Sequence, residues 1–318
     1  MKKARPALVL LLAMAMATAT QAQTLPQFDL QGGTPVAYRS QQADARDLSI
    51  NAMLYKPDTP AKGVVVIVNG SSSPRDYREG QYGRALSSAG YAVLAIDTFG
   101  SRGIVDTGAD QAQLGTEAQA HDVLAARKYL VSLGYAADRM AVMGSGRGGT
   151  IALMVADRTF VQDEKDRFVA AMAIGATCLF HPRLPKPASR VFVAVGEKDE
   201  VAGVQPCKDF AKEFAAAGGR IETKVYPGAA NSFDGNPGNS RMFRDPFVQS
   251  FADCRVSVEP DGRSTYNGKA FAESDTTGLA AEMRKSCIKR GGFSWTNLTQ
   301  KATVTLDVIE FLDLNFRR

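Results

Sequence analysis

The apolar positions of this chain fall into short solid runs separated by longer stretches of helical spacing. Val64–Val68 is an unbroken β-branched run, residues 48–55 alternate with a period near two, and 91–96, 140–143, 168–174, 191–195 and 221–226 read as further strands. Between them, 77–89, 116–133, 150–156 and 207–217 have helical spacing, and 304–316 is a last helix. Thr116 is placed to cap its helix, while Gly90 and Gly134 stop the helices before them. Solid apolar strands alternating with helices predict an α/β domain with a mainly parallel central sheet covered by helices on both faces. Ligands in such sheets bind beyond the carboxyl ends of the strands.

Residues 235–300 interrupt the alternation. They are polar, rich in Gly, Asn, Ser and Arg, and hold two of the four cysteines and the only tryptophan, Trp295. They read as a folded insertion before the last helix, the alternative being a long mobile loop, which is uncommon at this length. Residues 23–318 otherwise fit one domain.

Residues 1–22 have the form of a cleaved export signal: Lys2, Lys3 and Arg5, then an apolar core, then Thr20-Gln21-Ala22. The expected product is periplasmic or secreted, with no membrane anchor. Of 38 basic residues these three lie in the signal, leaving 35 against 33 acidic ones, a net +2. Nucleic acid is therefore not an expected partner. In an oxidising compartment Cys178, Cys207, Cys254 and Cys287 imply two bridges, with three pairings open. Their spacing is not that of a zinc site, and His121 and His181 stand apart from any ligand cluster, so neither metal nor cofactor is expected.

The candidate chemistry centres on Gly144-Ser145-Gly146-Arg147-Gly148-Gly149, a sharp strand-to-helix turn. It matches the dinucleotide pattern G-x-G-x-x-G literally, but that fingerprint follows the first strand of its sheet, and here at least three strands precede it. The next strand also runs into Ala173-Ile-Gly-Ala-Thr177 without the acid that would hold a ribose. The second frame is the nucleophile elbow G-x-S-x-G, with Gly144 and Gly148 flanking. Its nucleophile position is Gly146.

The other loops favour the second frame. The Asn69-Gly70 loop, Gly90-Tyr-Ala-Val-Leu-Ala-Ile-Asp-Thr-Phe-Gly-Ser-Arg-Gly103, the elbow, Gly196-Glu-Lys-Asp199 before Pro206-Cys207, and Tyr226-Pro-Gly-Ala-Ala-Asn-Ser-Phe-Asp234 occur in that order. Over about 63–234, and again in the last helix, the chain resembles the dienelactone hydrolase family of α/β-hydrolases. The resemblance implies an α/β-hydrolase fold, carboxylic-ester or lactone hydrolysis, and a triad in the order nucleophile, acid, base. Carried over, the acid falls on Asp199, the nucleophile on Gly146 and the base on Asn231, while the His of the oxyanion loop falls on Asn69. It also implies that the loops after the strands ending near 174 and 195 are neighbours, pairing Cys178 with Cys207 and leaving Cys254 with Cys287.

Only Asp199 of the three has the chemistry of its position. Glycine offers no nucleophile, and an amide does not accept a proton near neutral pH. Ser145 is the alternative nucleophile, one residue early, with His181 and Asp199 as its partners in a rearranged site. What the substitutions leave untouched is an anion site: backbone N–H groups at Arg147 and in the Asn69-Gly70-Ser71 loop, a helix N-terminus, and the side chains of Arg147 and Arg102. The leading expectation is a non-catalytic protein that binds a small carboxylate or carbonyl ligand at this turn. One alternative is an active ester or lactone hydrolase working through Ser145. Another is an interaction scaffold that meets a protein partner through 235–300.

Overall fold

The structure is a computed structural model that describes residues 29–42, 45–161 and 163–316; the expected signal segment lies outside the described residues. Eight strands form the main sheet: β1 (Thr34–Gln41), β2 (Asp47–Tyr55), β3 (Val64–Val68), β4 (Ala92–Asp97), β5 (Met140–Ser145), β6 (Ala170–Ile174), β8 (Arg190–Gly196) and β9 (Ile221–Tyr226). Their spatial order is β1-β2-β4-β3-β5-β6-β8-β9. The first two strands pair antiparallel, as do β2 and β4, and every other pairing is parallel.

The solid apolar runs follow from burial on both faces. Along β3, Val64, Val66 and Val68 face one core, which also holds Val123 and Leu130 of α2 (Thr116–Ser132), Ile151 of α3 (Arg147–Met154) and, over β8 and β9, Phe214 of α4 (Val204–Ala216). Val65 and Ile67 face the other, with Leu86 of α1 (Gln81–Ser88) and Val304, Val308 and Leu312 of α6 (Leu298–Phe316). Alternate side chains of a strand point to opposite faces, so a strand covered twice has no place for a polar residue. Each fully buried Val or Ile contributes roughly 1.5–3 kcal/mol.

Four helix starts differ from the sequence expectation. Gly115 holds the N-cap position of α2, Thr116 is the first helical residue, and no side chain caps that end. A π-helical turn, Asp76–Gly80, precedes α1. The elbow helix α3 starts at Arg147 and α6 starts at Leu298, both earlier than the apolar spacing suggested.

The segment between β9 and α6 is folded. A two-stranded ribbon pairs β10 (Phe243–Ser250) with β14 (Lys289–Ser294). A small sheet has the order β13 (Lys269–Phe271), β12 (Ser264–Tyr266), β11 (Val256–Val258), then β7 (Phe180–Pro182), which leaves the main chain path after β6 to join it. Phe251, Val256, Leu279 and Met283, the last two on α5 (Thr276–Met283), pack with Leu179 into a separate small core. The disulfides are Cys178–Cys207, beside the main sheet, and Cys254–Cys287, inside this small core.

Candidate active site and ligand cleft

The loops after β3, β5, β6, β8 and β9 meet at the carboxyl edge of the sheet around a cleft of about 450 Å³. Ser71, Ser145, Gly146, Arg147, Asn231 and Asp234 are among its walls, and Phe243 and Phe247 of the ribbon stand on its insertion side.

The turn itself is a true elbow. Gly146 has φ 55° and ψ −120°, and its N–H donates to Ile174 O at 2.7 Å. That backbone region strains any residue with a Cβ. The chain also runs too close for a side chain at Gly148, whose Cβ would stand 2.3 Å from Val68 O. At Gly146, by contrast, nothing lies within 4 Å of where a Cβ would project. The position from which an elbow presents its nucleophile is open space.

Asp199, after β8, is buried, with Oδ1 accepting from the N–H groups of Val201 and Ala202, each at 2.9 Å. Its Oδ2 is buried and has no hydrogen-bond partner among the described residues. Burial pushes its pKa up to about 6, against the pull of the two backbone donors. Asn231 turns its amide to Ser294 Oγ of β14 at 2.9 Å, while its backbone carbonyl receives Trp295 N–H. Acid and amide therefore engage different partners.

Ser145 lines the cleft, but its hydroxyl donates to Asp234 Oδ2, which also accepts from Tyr82 at 3.2 Å. Arg78 Nε stands 3.7 Å from Asp234 Oδ1. The imidazole expected beside Ser145 is elsewhere: His181 lies in β7, with Nδ1 2.8 Å from Glu213 Oε2 and Arg255 on its far side. Burial holds its pKa below the usual histidine value. His121 is on α2, and neither histidine lines the cleft.

The expected anion-binding residues separate into two groups. Ser71 and Arg147 line the cleft. Asn69 is fully buried and ties two loops together, accepting from Thr98 N–H at 3.0 Å and its hydroxyl at 2.8 Å, and donating to Ser72 O. Gly70 packs against Ser145, where an added Cβ would sit 3.1 Å from the Ser145 carbonyl oxygen. Arg102 corrects the expectation outright. It pairs with Asp122 at 2.7 Å and reaches Gln42, pinning its loop to α2 instead of facing the cleft. Its two terminal nitrogens donate to Thr98 O, Gln42 Oε1 and both Asp122 oxygens.

Arg147 turns inward and is 4% exposed. Its Nε donates to Gln119 Oε1, and its terminal nitrogens donate to Gln111 O at 2.9 Å and to Leu114 O. Gln119 is in turn fixed by its own donation to Thr98, which holds Asn69. Burial pulls the guanidinium pKa down to about 10, so it stays charged at neutral pH.

Sequence reading did not single out Asp234, Arg78, Gln111, Gln119 or Lys301. Lys301 of α6 is buried and donates to Tyr77 O and, at 2.7 Å, to Gly235 O, joining the cleft's two walls from below. A lysine on the inward face of an apolar helix was the available signal.

No curated protein matches the chain. Among solved structures it is similar to a dienelactone hydrolase-like promiscuous phosphotriesterase from metagenomic libraries, at 16% identity and TM-score 0.55, covering 89% of this chain and 99% of that one. It is also similar to Thermogutta terrifontis esterase 2 phosphorylated by paraoxon, at 16% identity and TM-score 0.51, covering 81% and 96%. At such identities these likenesses speak to the fold alone. The model of the dienelactone hydrolase family matches residues 50–245, the stretch that carries the elbow, Asp199 and Asn231. The chain belongs to the dienelactone hydrolase family.

Proposed function

We propose that this protein is exported and binds a small carboxylate or carbonyl compound over Gly146 without cleaving it. The observation that carries the reading is the elbow: Gly146 has nucleophile-elbow geometry and empty space where the nucleophile would project. Hydrolysis by this route needs an oxygen or sulfur nucleophile and an imidazole base. The cleft has no imidazole, and its one hydroxyl at the elbow is given to Asp234. Two features favour an anion. The first N–H groups of α3 have no partner inside the helix and point along its positive end. Arg147 lines the same cleft. The two disulfides are in keeping with an oxidising compartment.

Titration calorimetry of the full chain with aliphatic and aromatic carboxylates tests the reading. Binding that weakens with salt and on Arg147→Ala, with no product formed from the matching esters, supports it; no binding by any acid sinks it. One observation favours a second reading, an interaction surface on the insertion: Phe243, Phe247 and Phe293 are exposed along the β10–β14 ribbon. A melting temperature unmoved by every small acid, together with capture of a protein partner lost on Phe247→Ser, would favour that reading.

A further inference from the structure

Arg147 is a buried guanidinium with neutral partners only. Gln119, Gln111 and Leu114 each offer it an uncharged oxygen. Glu117 is the one carboxylate that stabilises its charge, and among the described residues the two form no ion pair. A charge taken from water without a paired counter-ion is costly, and an anion that arrives from outside removes the deficit.

Beside Arg147 lies a second, smaller cavity of about 70 Å³ between α3 and the insertion. Leu114 walls it from the main domain, and Phe251, Leu279, Ala280 and Met283 from the insertion. Gln111, Arg147 and Thr177 line both this cavity and the cleft over Gly146. The cationic head and the apolar chamber are thus neighbours, with Gln111, Arg147 and Thr177 on the boundary between them.

Resting on the carboxylate reading of the cleft, we propose that the ligand is an amphipathic acid. Its carboxylate pairs with Arg147 at the start of α3, and a compact branched or cyclic hydrocarbon tail of about four to six carbons fills the chamber under the insertion. The mainly apolar face formed by Leu114, Phe251, Leu279 and Met283 disfavours a charged tail, and the guanidinium disfavours a cationic head. The small core stapled by Cys254–Cys287 then acts as the specificity wall, because α5 supplies Leu279, Ala280 and Met283.

The test is a series of acids measured by calorimetry and ligand-observed NMR on the full chain: acetate, butyrate, 3-methylbutyrate, cyclohexanecarboxylate and benzoate, with 3-methylbutyramide as the neutral control. Affinity is expected to rise about fourfold per added carbon until the chamber is full, with the amide at least tenfold weaker than its acid. Ala280→Leu fills the chamber from a half-buried helix position. It should abolish the gain with chain length. If that variant does not fold, Met283→Ala should shift the preference to a longer acid. Equal affinity for acetate and the longer acids, or a chain-length gain that survives Ala280→Leu, overturns the tail chamber and leaves the carboxylate site standing. Failure of every acid overturns both.

Discussion

Ser145 donates its hydroxyl hydrogen to Oδ2 of Asp234, a carboxylate that also receives the hydroxyl of Tyr82. Both residues are buried, and Arg78 approaches the other carboxylate oxygen at 3.7 Å. The serine thus belongs to a polar network that joins the elbow strand β5 to the loop after β9. A hydrogen bond to a charged group contributes about 1.5–3 kcal/mol. Ser145→Ala is expected to lower the melting temperature by several degrees, measured by thermal denaturation; an unchanged midpoint would show that the bond is idle.

Asp199 gives a pH-dependent expectation. Its carboxyl has a folded pKa of about 6 against an ordinary 3.8, chiefly because burial disfavours the charge. Between those values the native state holds more protons than the unfolded chain, so the group's contribution to stability falls as pH rises from about 4 to about 6. Asparagine keeps an acceptor for the Val201 and Ala202 N–H groups and carries no charge. Asp199→Asn should therefore melt a few degrees above wild type at pH 7–8, with the difference closing near pH 4. An equal gap at both pH values would contradict the assignment.

The insertion depends on its staple. Cys254 and Cys287 are 33 residues apart, and closing a loop of that size stabilises by roughly 3–4 kcal/mol in the chain-entropy model. The Cys254→Ser/Cys287→Ser variant should lose roughly 2–4 kcal/mol in denaturant unfolding. Peptide mapping without reduction should find 178–207 and 254–287; a 178–254 or 207–287 linkage would contradict the arrangement of the small core.

Rebuilding catalysis takes two changes together. Gly146→Ser places a nucleophile in open space, so its cost is conformational, of order 1–3 kcal/mol for a side chain at φ 55°. Asn231→His offers a base that the unpartnered Oδ2 of Asp199 can orient. Groups of a triad act as a unit, so each single variant should do little. The double variant should hydrolyse small activated esters faster than either, and Asp199→Asn should remove the gain. Equal rates in all four proteins would show that Asp199 no longer points at position 231.

The parts legible from sequence were those fixed by local pattern. The solid runs of β3 and β4 and the glycines of the elbow each carry their own constraint, so strand, turn and helix could be read in place. The edge strand β1 was not legible, because only Tyr38 and Ser40 of its eight residues are buried and the others are exposed or half-buried. The three-residue strands of the insertion are too short to show a period. At the site, inward Arg147 was foreseeable from the turn, whereas the placement of Arg102 depends on Asp122, Ser40 and Gln42, brought together only by the fold. The Ser145–Asp234 bond spans 89 residues, and no spacing rule reaches that far.

The central claim is that the elbow binds and does not cut, and the initial rate of hydrolysis of a small activated ester by wild type, set beside Ser145→Ala, tests it most directly. The expected result is that neither protein turns over more than one equivalent of ester and that the two rates are equal. Sustained turnover by wild type that is abolished in Ser145→Ala would contradict the account and make Ser145 the nucleophile of a working hydrolase.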